Sequence, residues 1–190
     1  MVKDRVGPAR GGIARRIVAA AVMGLLVAGM ARPPLPRPSL FGVPLQTATR
    51  GALTRALSRA HLTLVPGGRH QWYDLYNVNG ALKHASRLAV SYTHGGRFAK
   101  AVYIFPSFIS TKRFGYVLKI VRAKYGPPSH MTGEADIGRV RARWKLADGF
   151  EIIVKRGWPN PTTYMVIENH LTLQRMKAEQ RKAMANSGAF

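Results

Sequence analysis

Two kinds of hydrophobic spacing follow one another along the chain, and the succession occurs twice. From Thr47 to Ala60, the residues Leu53, Ala56, Leu57 and Ala60 share one face of a 3.6-residue period, with Thr47 or Thr49 placed to cap the first turn. After Gly67-Gly68, which reads as a loop, the period drops to two. Gln71–Tyr76, Arg87–Tyr92 and Phe98–Phe105 read as strands, punctuated by the Asn79-Gly80 turn and a Thr93–Gly96 hairpin. Ser110 or Thr111 then caps a second helix carrying Phe114, Val117, Leu118, Val121 and Tyr125, and Gly126-Pro127-Pro128 stops it. Three more strands follow: Arg139–Leu146, Phe150–Lys155 and Thr162–Glu168, the first two joined at Asp148-Gly149. The pattern predicts an α+β fold of two αβββ units, residues 47–106 and 108–170, sharing a mostly antiparallel sheet with both helices on one face.

The flanks follow neither rule. Lys3, Arg5, Arg10, Arg15 and Arg16 precede an uncharged run, Ile17–Ala31, which Arg32-Pro33-Pro34 ends. This is the order of a signal peptide, residues 1–31, with Gly29 and Ala31 suited to a cut after Ala31. At 15 residues the run is shorter than the roughly 20 that span a bilayer; retention of residues 17–31 as an inner-membrane anchor is the alternative. The expected location is periplasmic or secreted. Residues 32–46 hold Pro33, Pro34, Pro36, Pro38 and Pro44 and read as an extended tether. Residues 171–190 form a basic tail, helical to about Ala185, with a thin stripe of Leu173, Met176 and Met184. Its Arg175, Lys177, Arg181 and Lys182 suit either solvent or a membrane surface.

Composition narrows the chemistry. The chain has 30 Lys and Arg against 8 Asp and Glu, a net charge of +22, and no Cys, which excludes disulfides, thiolate metal sites and cysteine nucleophiles. Beyond residue 31 the carboxylates are Asp74, Glu134, Asp136, Asp148, Glu151, Glu168 and Glu179, and only Glu134 and Asp136 are close in sequence, in a loop between glycines. Asp148 belongs to a turn, and Glu151 is placed to pair with an Arg across the hairpin. His61, His70, His84, His94, His130 and His170 show no metal-binding spacing, and no Gly-x-Ser-x-Gly, P-loop or dinucleotide motif is present. No catalytic residue, metal ligand or cofactor is therefore assigned. Trp72, Trp144 and Trp158 read as core or loop-packing residues.

One pattern does point outward. Strand alternation places Arg139, Arg141, Arg143 and Lys145 on one face and Val140, Ala142, Trp144 and Leu146 on the other. Same-face neighbours lie about 6.6–6.8 Å apart, inside a Debye length of roughly 8–10 Å, so the four cations repel one another. Such a ribbon suits an anionic polymer, a membrane surface or an acidic envelope protein; an adaptation to acidic surroundings would give the same excess of charge.

The set Leu40–Leu45, Ala48-Thr49-Arg50, Trp72–Tyr76, Tyr125-Gly126-Pro127, Asp148-Gly149, Arg156–Pro159 and Thr162–Tyr164 resembles a group of small exported bacterial proteins. A helix ending in Tyr-Gly-Pro, then a strand with Trp and an Asp-Gly hairpin, is similar to the outer-membrane assembly lipoproteins of the SmpA/OmlA type. That resemblance implies a binding accessory rather than a catalyst; the family's lipid-bearing Cys is absent here. The sequence thus leads to an exported, non-enzymatic envelope protein that binds an anionic surface or protein. A nucleic-acid-binding protein and a secreted hydrolase are the alternatives.

Overall fold

The computed structural model describes residues 35–107 and 110–187; the signal segment, residues 1–31, lies outside them. Helix α1, Arg50–Arg59, starts where expected: the Thr49 hydroxyl accepts a hydrogen bond from the Ala52 N–H at 3.3 Å. Its Leu53, Ala56 and Leu57 are buried. Helix α2, Lys112–Tyr125, buries Phe114, Val117, Leu118 and Val121 and stops at Gly126, whose φ of 75° suits glycine. The Thr111 side chain makes no cap; the Ser110 hydroxyl accepts from the Lys112 N–H at 3.3 Å instead.

The described residues form ten strands: β1 Ser39–Leu40, β2 Val43–Pro44, β3 Thr63–Arg69, β4 Tyr73–Asn77, β5 Arg87–Tyr92, β6 Phe98–Phe105, β7 His130–Thr132, β8 Val140–Lys145, β9 Phe150–Arg156 and β10 Thr163–Asn169. β3 to β10 make one antiparallel sheet in the order β3-β4-β5-β6-β10-β9-β8-β7. The α+β class with a mostly antiparallel sheet is thus established.

The expected αβββ unit needs correction: each helix is followed by four strands, α1-β3-β4-β5-β6 and α2-β7-β8-β9-β10. The additional strands are the two sheet edges. β3 contains Pro66-Gly67-Gly68, which an edge strand accommodates by shifting register between Leu64 and Arg69. β7 has only three residues, too few to show alternation. The last strand of each unit pairs antiparallel with the other, β6 with β10, so the two meanders run outward from the centre of the sheet.

Both helices share a single core with one sheet face, including Leu53, Phe114, Tyr76, Trp144 and Ile152. The tether is shorter than residues 32–46. Leu40 and Leu45 are buried in that core, and β1 and β2 form a hairpin through Phe41-Gly42. The tail is likewise part of the fold over much of its length. Helix α3, His170–Asn186, follows β10 directly, capped by the Asn169 side chain, which accepts from the Thr172 N–H at 3.1 Å. Its Leu173 and Met176 form a second, separate cluster with Ala99 and Trp72, whereas Met184 is exposed.

Candidate functional site

The sheet face turned away from α1 and α2 is ordered in rows, because directly paired residues on neighbouring strands share a side. The middle row reads Arg143, Ile153, Val166, Val102, Ala89, Leu75, and is apolar apart from its first member. Ile153 and Val166 are 4% and 6% exposed although no helix of the main core covers them. Arg141, Lys155 and Tyr164 from one flanking row and Lys100 and Glu168 from the other line the groove above them.

One flanking row reads Lys145, Glu151, Glu168, Lys100, Ser91, and its two cations offset its two carboxylates. Glu151 also holds Arg143 at 3.1 Å. The other flanking row reads Arg141, Lys155, Tyr164, Ile104, Arg87 and contains three cations and no carboxylate. Arg139 lies two residues before Arg141, just ahead of β8, and is exposed. The two flanking rows are about 13 Å apart, two side-chain repeats, which exceeds the Debye length of roughly 8–10 Å. The carboxylates of one row therefore do little to neutralise the cations of the other.

Within this positive row, Arg141 and Lys155 are exposed and directly opposite, an arrangement that disfavours the sheet by about 0.2–1 kcal/mol. The Lys155 ammonium sits 5.9 Å from the centre of the Tyr164 ring, so the aromatic face orients it without removing its charge. Arg87 is about 14 Å from Lys155 across three strand spacings, and it donates to the Asn77 side chain. Grooves of about 320 and 330 Å³ meet along Arg141, Lys155 and Tyr164. The first offers the cationic heads of Lys100, Arg141 and Lys155, with Glu168 on the side of the balanced row, above an apolar floor of Val102, Ile153 and Val166.

The ribbon expected from one strand is thus divided by its neighbours. Val140, Ala142, Trp144 and Leu146 are buried as the alternation requires. Arg143 is paired and Lys145 faces Glu151, which leaves Arg139 and Arg141 with Lys155 and Arg87. Lys155 and Arg87 escape sequence reasoning because they come from other strands and are brought together only by register. In the tail, Arg175 pairs with Glu179 at 2.9 Å, and Glu179 accepts from the His94 backbone N–H at 2.7 Å, tying α3 to the β5–β6 hairpin. Lys177, Arg181 and Lys182 are exposed.

Other conspicuous charges are consumed by the fold. Arg156, only 3% exposed, donates to the carbonyls of Gly138 at 2.9 Å and Ala135 at 2.6 Å and stacks near Phe114. The loop holding Glu134 and Asp136 winds around that guanidinium, leaving both residues exposed. The approach is so close that a Cβ at Gly133 would lie 2.1 Å from the Arg139 carbonyl oxygen. Asp74 is buried against Arg50, and Asp148 occupies its turn with φ of 58°. Trp144 is buried, donating from Nε1 to the Gly126 carbonyl at 2.9 Å, but Trp158 is 60% exposed and is not a packing residue. Among the described residues, no three His, Asp or Glu side chains converge to hold a metal, and no helix is long and apolar enough to cross a membrane.

No family model and no curated protein matches the chain. Among solved structures, the chain is similar to the DUF4309 family protein YjgB from Bacillus subtilis subsp. subtilis str. 168, at 13% identity over 70% of this chain and 87% of that one, with a TM-score of 0.43.

Proposed function

We propose that this chain is an exported, non-enzymatic envelope protein that binds an anionic surface through the row Arg141, Lys155 and Arg87, with Arg139 at its end. The observation that carries the reading is the asymmetry of the outer sheet face: one flanking row balances its charges and the other leaves every cation without a carboxylate. Cations above a partly apolar groove suit phosphate head groups, which offer negative charge at the level of the heads and hydrocarbon beneath it. Export is supported by the basic, apolar and Pro-rich succession of residues 1–34, and sequencing the mature N-terminus from fractionated cells tests it.

Binding is tested by sedimentation with vesicles containing phosphatidylglycerol and with vesicles of phosphatidylcholine alone. The chain should bind only the former, and Arg141→Gln/Lys155→Gln should weaken binding by about tenfold or more at low salt. Each surface cation is worth about 1 kcal/mol near an anionic leaflet. The control Lys112→Gln/Lys119→Gln, which removes the same charge from exposed positions of α2 on the other side of the sheet, should change it less than twofold. Unaltered binding in the first variant, with loss in Lys177→Gln/Arg181→Gln/Lys182→Gln, would transfer the function to α3. Tighter binding to duplex DNA than to the vesicles would support the nucleic-acid alternative.

A further inference from the structure

On the opposite side of the sheet, α2 and the β1–β2 hairpin leave between them a cavity of about 300 Å³ that reaches the central strands. Its floor is Tyr103, Ile152, Met165 and Ile167, from β6, β9 and β10. At about 30 Å³ for a water-sized group, it holds about ten such groups. The space opens to solvent between α2 and the hairpin, so it is a cleft that a ligand can enter rather than a sealed void.

Four side chains with polar groups line this space, Ser39, Tyr103, Lys124 and Tyr125, and only Lys124 is charged. Tyr103 is 4% exposed and forms part of the floor. Burial pushes its pKa up, so it stays protonated and able to donate. Lys124, from the last turn of α2, stands at the rim, with its ammonium 5.2 Å from the centre of the Tyr125 ring. No carboxylate among the described residues lines the cavity. The lip is formed by Phe41, which adopts φ of 48°, a conformation that an aromatic residue takes only under strain. A glycine or asparagine there would close the same turn with Gly42 without strain, but would leave the cavity without its aromatic cover.

We infer that this cavity is a binding site for a medium-length acyl chain bearing a carboxylate, with hydrocarbon over Ile152, Met165 and Ile167 and the acid head met by Lys124 and the Tyr103 hydroxyl. The apolar floor disfavours sugars and nucleotides, and the Lys124 ammonium, with no carboxylate in the lining to offset it, repels an amine head. The site stands apart from the positive row on the outer face and does not depend on it.

The test is calorimetric titration of the full chain with decanoate and with decylamine. Decanoate should bind one to one and decylamine should not. Tyr103→Phe should weaken decanoate by about threefold to tenfold, the worth of one hydrogen bond, with little change in melting temperature. Lys124→Gln should weaken it similarly, and Ile120→Trp, which fills the mouth from α2, should abolish it. Arg141→Gln/Lys155→Gln should leave it unchanged, separating this site from vesicle binding. Equal affinity for decylamine, or undiminished binding in both Tyr103→Phe and Ile120→Trp, would overturn the assignment.

Discussion

The ion pair between Arg50 and Asp74 offers a stability test that can be worked from geometry. The Asp74 side chain is fully buried and receives Arg50 Nε at 3.0 Å and Nη2 at 2.5 Å. Removing one partner of a buried pair costs about 3–5 kcal/mol, because the other is left as an uncompensated buried charge. The two partners are not equivalent. Without Asp74, Arg50 keeps the carbonyls of His70 at 2.6 Å and Gln71 at 3.1 Å, its place 5.3 Å from the Tyr92 ring, and partial access to water, at 28% exposure. Asp74→Asn should therefore cost about 2–3 kcal/mol, somewhat under the full penalty. Without Arg50, Asp74 retains only Arg69, 3.5 Å away and 58% exposed, and the Tyr76 hydroxyl at 3.4 Å. An exposed cation is worth about 0–1 kcal/mol, so Arg50→Met should approach the full 3–5 kcal/mol. The double variant Arg50→Met/Asp74→Leu should cost less than the sum by about 1–3 kcal/mol. Urea unfolding at neutral pH measures all three. Additivity within about 0.5 kcal/mol, or a greater loss from Asp74→Asn than from Arg50→Met, would refute the reasoning.

Glu179 should make α3 docking sensitive to acid. The His94 N–H and then Arg175 hold its carboxyl below the usual carboxylate range, so its contribution is full above the unfolded carboxylate's pKa and is lost as pH falls through the folded value. The His94 amide resonance should follow this titration, and Glu179→Gln should abolish the dependence. Lys155→Glu should set stability and function in opposition: it places a carboxylate opposite Arg141, raising stability by about 0.2–1 kcal/mol, while cutting vesicle binding at least as far as the double neutral variant. A loss of stability with binding intact would contradict both halves of that expectation.

The helices and the six inner strands are legible because each displays its period without interruption. Leu53, Ala56 and Leu57, or Val140, Ala142 and Trp144, are buried as their spacing requires. What is not legible is whatever depends on residues that break a period yet remain in an element. Pro66-Gly67-Gly68 reads as a loop, but its edge position lets a strand continue past the register shift. Pro38 and Pro44 read as a tether, yet Leu40 and Leu45 between and beside them have a core to enter. The candidate site fails to appear for a related reason: the alternation of β8 determines which way Arg141 faces, but not which residues stand beside it. Lys155 joins it only through the β8–β9 register, and Glu151 withdraws Arg143 by the same means.

The positive row also bears on whether the charge excess reflects surroundings or a partner. Acid adaptation alone would thin carboxylates without regard to position. Here they persist where the fold uses them: Asp74 in its buried pair, Glu151 on Arg143, Glu179 between Arg175 and the His94 N–H. One row of the outer face balances its charge with Glu151 and Glu168, while the parallel row, built on the same strands, has Lys155 and Tyr164 at the corresponding places. The two rows flank one sheet face and share one solvent and one pH, so surroundings alone do not set the difference between them. A surface that keeps Arg141 opposite Lys155, at a cost to the sheet, accounts for it if that row meets negative charge from outside.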